Sequence, residues 1–255
     1  FMLEINEIFG PTIQGEGKLV GSPSVFIRFG KCNFKCEGFA VEYETPSGVK
    51  KCACDTYYAV DTEFKDTWTK YKSYEEIVNE VDKLISIYPY NYKIDIVITG
   101  GEPLLYWNKE EFQKLLEHYI NAGHKVTIET NASLNLNIDK EYQKELLFSM
   151  SVKLSNSLEP IKKRININTL NTILNNTKES YLKFVIGKDF LNDAKKEINE
   201  ILSLIPKCDV YLMPLGDTAE QINKNCEDVI NMSIENGFKY CDRLHIRVWD
   251  NKRGV

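Results

Sequence analysis

The chain lacks a basic excess: 32 Lys and Arg face 37 Asp and Glu, for a net charge of -5. Without an overall basic field to attract phosphate backbones, nucleic acid is excluded as a primary partner. Long apolar runs are missing too, since stretches such as Ile94-Asp95-Ile96-Val97-Ile98 fall far short of the roughly 20 residues that a membrane span requires. Nor does the opening Met2-Leu3-Glu4-Ile5-Asn6-Glu7 show the basic and then apolar pattern of a secretory signal. The expectation is a cytoplasmic protein that uses no membrane. No low-complexity tract, long linker or repeat divides the 255 residues, so one domain over residues 1–255 is expected. What is present, 43% apolar residues and 11% aromatics, fills a real core and rules out disorder as the main state.

Cysteine is the unusual abundance. Seven is an odd number, and in a chain with no export signal it argues for reduced thiols over a disulfide framework. Cys208, Cys226 and Cys241 are scattered and read as small buried apolar residues, Cys226 on a face with Ile222, Val229 and Ile230. Cys32, Cys36, Cys52 and Cys54 crowd one early segment. Clustered thiolates are soft ligands that select zinc or an iron-sulfur centre. The spacings C-x3-C and C-x-C are not the two close pairs typical of structural zinc. A C-x3-C start on a loop after a strand suits a [4Fe-4S] cluster held by three cysteines, with one iron left open. Zinc stays open as the alternative.

The rest of the chain alternates strand and helix patterns. Ser73-Tyr74-Glu75-Glu76 reads as a capping box ahead of Ile77, Val78, Val81, Leu84 and Ile85 on one helical face, and Phe112, Leu115, Leu116, Tyr119 and Ile120 repeat that spacing. Between helices lie β-rich runs at Val25–Phe29, Ile94–Thr99, Lys125–Glu129, Met150–Leu154, Tyr181–Ile186, Val210–Met213 and Leu244–Trp249. After the first, strand starts recur every roughly 25 to 35 residues, the length of a βα unit, which predicts a mostly parallel sheet. About six units, against the eight of a full barrel, predict an α/β fold of incomplete TIM-like (βα)6 type, with a doubly wound open sheet as the alternative. In such folds function gathers at the carboxyl ends of strands, and here those ends carry Cys32, Gly100-Gly101-Glu102-Pro103 and Glu129-Thr130-Asn131, with Ser151, Lys153, Met213-Pro214 and His245 in or near later strands. A turn, a cap or a solvated charge explains any one of these, but explains all of them together poorly.

On these residues the sequence resembles the radical S-adenosylmethionine (SAM) superfamily and, within it, the 7-carboxy-7-deazaguanine synthases of the deazapurine (queuosine) pathway. The resemblance covers most of the chain. Its marks are Gln14-Gly15-Glu16-Gly17, the run from Arg28 to Cys36, Cys54-Asp55-Thr56, Thr99-Gly100-Gly101-Glu102-Pro103, Glu129-Thr130-Asn131, and the ending from His245 through Arg253-Gly254-Val255. Gly-Gly-Glu-Pro alone points only to the superfamily; the Gln-Gly-Glu-Gly opening with Cys-Asp-Thr is more specific. The family usually has C-x3-C-x2-C, and this chain departs from it by an insertion between Cys36 and Cys54. The insertion reads as a hairpin, Phe39–Tyr43 and Val49–Lys51 about a Thr45-Pro46-Ser47-Gly48 turn. With Pro46 and Ser47 at the tip, Cys54 returns opposite Phe39 as the third ligand and Cys52 is the spare thiol.

The resemblance also implies roles. Cys32, Cys36 and Cys54 would hold the [4Fe-4S] cluster, and Ala53, Asp55, Gly101, Glu102, Ser151 and Lys153 would contact SAM, although Val152 stands where the family's Ser-Pro-Lys element has proline. Gln14, Gly15, Glu16, Arg28, Thr99 and His245 would bind 6-carboxy-5,6,7,8-tetrahydropterin, with Arg28 suited to clamp its carboxylate bidentately. A lone His is equally well a core residue. Thr56 matches the family position that binds Mg2+. The implied partners are the pterin substrate, an electron donor such as flavodoxin or ferredoxin, and a second copy in a homodimer. Another radical SAM enzyme, such as a glycyl-radical activase, would share the cluster and Gly-Gly-Glu-Pro, and a zinc-binding adaptor would share only the thiols.

Overall fold

The computed structural model describes residues 2–87 and 91–255. Its frame is a nine-stranded sheet in the order β11-β10-β9-β8-β7-β6-β2-β1-β5. The strands are β1 (Leu3–Ile13), β2 (Pro23–Phe29), β3 (Val41–Glu44), β4 (Lys50–Ala53), β5 (Thr69–Tyr71), β6 (Asp95–Gly100), β7 (Val126–Thr130), β8 (Leu147–Met150), β9 (Tyr181–Ile186), β10 (Val210–Pro214) and β11 (Lys239–Tyr240), of which β3 and β4 pair apart as a hairpin. From β2 through β11 every neighbouring pair in the sheet is parallel. Helices Tyr74–Ile85, Glu110–Asn121, Ile167–Asn176, Leu191–Leu202 and Ala219–Asn236 lie in the connections. The order is linear with β5 and β11 at its ends, that of an incomplete (βα)6 barrel with an added antiparallel edge.

Burial follows composition. The parallel strands are apolar on both faces, as strands covered by helices must be; β10 is buried along its whole length. Helix Tyr74–Ile85 buries Ile77, Val78 and Val81, and helix Glu110–Asn121 buries Phe112, Leu115, Leu116 and Tyr119. Phe29 joins sheet to helix, its ring 5.0 Å from Tyr106 and 5.2 Å from Phe112. Each such side chain contributes about 1.5–3 kcal/mol by leaving water. Among the described residues no helix is long and apolar enough to cross a membrane.

Several local expectations are corrected. Leu244–Trp249 is a helix, not a strand; the last place in the sheet goes to β11, which pairs with β10. The strand expected over Met150–Leu154 is Leu147–Met150, the segment in which every residue is buried. Ser73 does precede a helix, but its side chain forms no cap; Glu76 bonds the Lys72 N–H at 2.8 Å instead. Of the scattered cysteines only Cys241 is buried, Cys208 and Cys226 being half-buried, and Ile230 stands exposed. β1 was not foreseen. It runs antiparallel to β2 and its register shifts between Phe9 and Thr12, around Pro11, which offers no N–H to a ladder.

The inserted hairpin forms with its register one residue off. Thr45 N donates to Val49 O at 2.9 Å and Gly48 N to Thr45 O at 2.8 Å, closing a three-residue loop, Pro46-Ser47-Gly48, with Gly48 at φ +82°. A three-residue loop ending in a left-handed glycine is a common hairpin connection. It pairs Val41 with Ala53, so Cys54 follows that rung and comes back beside Ala40, not opposite Phe39.

Candidate active site

A cavity of about 440 Å³ takes in the carboxyl ends of β2, β6, β7 and β8, and Cys32, Cys36 and Cys54 line it together. Cys52 is exposed on the hairpin and lies outside the lining. The cysteine loop is held from two sides. Glu159 Oε1 accepts from Lys35 N at 2.6 Å and Cys36 N at 3.0 Å, which lets Cys36 keep a left-handed φ of +52°. From the other side, Gly101 N donates to Phe29 O at 3.0 Å and Glu102 N to Lys31 O at 2.8 Å. A Cβ at Gly100 would fall 2.1 Å from Phe29 O, and one at Gly101 2.0 Å from Lys31 O. The two glycines therefore let the end of β6 be stitched onto the loop that bears the cysteines.

Burial pushes the three thiols up, with a neighbouring carboxylate adding to it for Cys32 (Glu102) and Cys54 (Asp55). For Cys36 burial outweighs the opposing Lys153 and raises it to about 12. Metal binding must displace these protons. Among the described residues no three His, Cys, Asp or Glu side chains stand close enough to hold one metal ion. Three soft thiol donors lining one cavity are the donor set that an iron-sulfur cluster takes.

Of the residues expected to contact SAM, Asp55, Gly101, Ser151 and Lys153 line the cavity. Lys153 Nζ donates to Ser151 Oγ at 2.8 Å while Val152 between them is buried, so both polar groups stay together without the family's proline. Ala53 and Glu102 lie outside the lining. Ala53 is buried on the hairpin, and Glu102 is fully buried behind the wall. The Glu102 carboxylate accepts from Thr130 Oγ1 at 2.6 Å, Asn131 N at 2.8 Å and Leu104 N at 2.9 Å. It braces the Thr130-Asn131 turn.

Gln14, Gly15, Glu16, Arg28, Thr99 and His245 all line the same cavity. The glycines of the Gln-Gly-Glu-Gly loop have packing reasons: a Cβ on Gly15 would lie 2.0 Å from His245 Nδ1, and Gly17 sits at φ +71° against the Tyr181 hydroxyl. Leu244 N donates to Gly15 O at 2.8 Å, which carries His245 to the loop on a helix. Arg28 Nε donates to Glu7 Oε1 at 2.7 Å, with its guanidinium over the Phe9 and Tyr58 rings at 5.6 and 5.9 Å. Stacked Phe9 and Phe26, 4.9 Å apart, form an apolar wall. Thr56 Oγ1 is 3.4 Å from Cys54 Sγ.

Sequence reasoning marked Glu129 at a strand end without giving it a role and passed over Lys183 and Arg243, which also line the cavity. Glu129 accepts from Gln14 Nε2 at 3.2 Å and Thr99 Oγ1 at 2.7 Å. Lys183, buried mid-strand in β9, meets Glu16 Oε2 at 2.5 Å; a Lys flanked by Leu182 and Phe184 was a visible signal that it needs a partner. Arg243 meets Glu16 Oε1 at 2.8 Å and Asp55 Oδ2 at 2.6 Å, and its place before a misread helix gave no local signal. Burial pushes Glu16 up, but Lys183, Arg243 and His245 hold it well below the usual carboxylate range. Burial pulls His245 down and outweighs the pull of Glu16, which keeps its imidazole neutral near pH 7.

Comparison with known proteins agrees with this geometry. The radical SAM superfamily is matched over residues 27–229. The 7-carboxy-7-deazaguanine synthase of Rhodopirellula baltica is 30% identical over 258 residues, covering 95% of this chain and 85% of its own. That of Halobacterium salinarum is 29% identical over 272 residues, covering 98% and 91%. Among solved structures, QueE from Escherichia coli superposes with a TM-score of 0.63 at 19% identity over 96% of this chain and 95% of its own, a likeness of fold.

Proposed function

Because the chain belongs to the radical SAM superfamily and, within it, to the 7-carboxy-7-deazaguanine synthases, we propose that it converts 6-carboxy-5,6,7,8-tetrahydropterin to 7-carboxy-7-deazaguanine in deazapurine (queuosine) biosynthesis. The observation that carries this reading is one cavity that joins three thiols of one early segment to a polar wall drawn from separate parts of the chain, Gln14, Glu16, Arg28, Thr99 and Glu129. When bound, the cluster and SAM supply an electron and a 5'-deoxyadenosyl radical that takes the substrate's C6 hydrogen. Cys32, Cys36 and Cys54 would hold the cluster. Lys153 and Ser151 would contact the carboxylate and ribose of SAM, and the backbone at Gly101 would receive its methionyl amine.

The protein's own contribution is placement. Arg28, already fixed through Nε by Glu7, offers its remaining donors to the substrate carboxylate. Gln14, Glu16 and Glu129 read the polar pterin edge, and Thr99, tied to Glu129, sets the distance to it. Neutral His245 closes one side without adding a charge. The wall of Phe9, Phe26 and Phe34 limits water around the reacting carbon. Thr56, which lines the cavity, would offer its hydroxyl oxygen to Mg2+, a hard cation that would orient the substrate carboxylate. The electron comes from a flavodoxin- or ferredoxin-class donor, and the working assembly is a homodimer.

The test is anaerobic: reconstitute with iron and sulfide, add reductant, SAM, Mg2+ and carboxytetrahydropterin, and search for 7-carboxy-7-deazaguanine by mass spectrometry. SAM-dependent product is the expected result. Formation of 5'-deoxyadenosine without that product would retain the superfamily chemistry and overturn the substrate.

A further inference from the structure

One side chain joins the two halves of the cavity. Arg243 is 12% exposed, and all three of its nitrogens are engaged: Nε with Glu16 Oε1 at 2.8 Å, Nη2 with Asp55 Oδ2 at 2.6 Å, and Nη1 with Gly216 O at 2.6 Å. Glu16 lies on the loop assigned above to the pterin edge. Asp55 follows the cluster ligand Cys54 on the side assigned to SAM. Resting on that assignment, we propose that Arg243 is a positioning residue that couples the two subsites, so that substrate and SAM bind cooperatively.

The physical basis is the rigidity of the group. A guanidinium is planar and presents its donors in a fixed fork. Once a ligand settles one carboxylate against it, the plane of the fork is set, and with it the direction from which the other carboxylate is held. Gly216 O anchors the third nitrogen and gives the fork a fixed point about which its plane is set. The main chain reinforces this, because Leu244, the next residue, donates to Gly15 O at 2.8 Å and so ties the Arg243 backbone to the same loop that carries Glu16. Lys183 occupies the second oxygen of Glu16, which leaves the reach of Arg243 toward Asp55 unshared. Both carboxylates keep lone pairs for a ligand, since an ionised carboxylate accepts about four hydrogen bonds.

The experiment measures SAM affinity by equilibrium dialysis on the anaerobically reconstituted enzyme, without reductant so that neither ligand is consumed, with and without saturating carboxytetrahydropterin. In the wild type SAM should bind about fivefold tighter or more when substrate is present, and by linkage the substrate should gain the same factor from SAM. Arg243→Lys keeps the charge but reaches only one carboxylate, so the ratio should fall to near one with iron content unchanged. Asp55→Ala, which removes the acceptor at the far end of the bridge, should do the same and carries the test if Arg243→Lys does not fold. A merely structural Arg243 would weaken both ligands and leave their ratio intact. A wild-type ratio of one, or an unchanged ratio in both variants, overturns the coupling alone. Failure of the wild type to bind carboxytetrahydropterin overturns the functional reading and the coupling with it.

Discussion

Lys183→Met removes the ammonium that faces Glu16 while keeping most of the side chain's bulk. The two side chains are 6% and 13% exposed, and the neighbours Leu182 and Phe184 are fully buried, so β9 itself should persist. Stripping one partner from a buried ion pair costs about 3–5 kcal/mol when the other charge is stranded. Here Arg243 still bonds Glu16 Oε1, which brings the expected loss to about 2–3 kcal/mol. In a chain of this size, with about 2–4 °C for each kcal/mol, the unfolding midpoint of reconstituted enzyme should fall by roughly 4–12 °C in anaerobic calorimetry. The pH dependence fixes the cause. Burial pushes Glu16 up, yet Lys183 leads the cations that pull it lower, so its folded pKa lies below the ordinary glutamate value of about 4.3. A carboxylate held low stabilises the fold above that ordinary value and loses the contribution as pH falls through the folded one. The gap between wild type and variant should thus be full at pH 7 and narrow as pH drops below about 4. Adding Glu16→Gln should restore part of the loss, a coupling of about 0.5–3 kcal/mol. A gap under about 0.5 kcal/mol at pH 7, or one indifferent to acid, would refute the ion pair as the reason Lys183 is buried.

Three more expectations concern the cluster loop and the substrate clamp. Cys54→Ala should lose the iron-sulfur chromophore and Cys52→Ala should keep it, as iron per chain after reconstitution will show; the reverse would exchange their roles. Gly101→Ala sets a Cβ against the Lys31 carbonyl, so calorimetry should find about 1–3 kcal/mol lost and iron analysis a lower cluster content; unchanged values would mean that the loop does not need this contact. Arg28→Lys gives up bidentate binding, and steady-state kinetics at saturating SAM should show KM for the carboxypterin raised about 10- to 100-fold, equivalent to a charged hydrogen bond, with kcat changed less. A KM left at the wild-type value would free Arg28 from that role.

Much of the fold could be read from periodicity because the parallel strands are covered on both faces and appear as plain apolar runs. Tyr181–Ile186 is such a run, and its bounds match the strand. Leu244–Trp249 misled because six residues of mixed apolar and polar character satisfy either period; what decides is tertiary, the bond from Leu244 N to Gly15 O and the prior occupation of the edge by β11. The hairpin was legible, but its register hung on Gly48, which adds a third loop residue through a left-handed φ. In the site, the thiols and the Gln-Gly-Glu-Gly loop were visible as motifs. A carboxylate in a strand-end motif suggests a ligand contact at Glu102, but the motif gave no sign of the three nearby donors that its carboxylate also serves. Lys183 and Arg243 went unseen because their meaning lies in a partner more than 160 positions away in sequence.

The most direct measurement is label transfer in a single turnover. Because the net reaction loses only ammonia, the abstracted hydrogen must be returned, so reconstituted enzyme with SAM, Mg2+, reductant and carboxytetrahydropterin deuterated at C6 should yield 7-carboxy-7-deazaguanine and place deuterium at the adenosyl 5' carbon, in recovered SAM and in any 5'-deoxyadenosine released. Unlabelled 5'-deoxyadenosine with no deazaguanine product would contradict the claim that this cavity places the pterin C6 within reach of the radical.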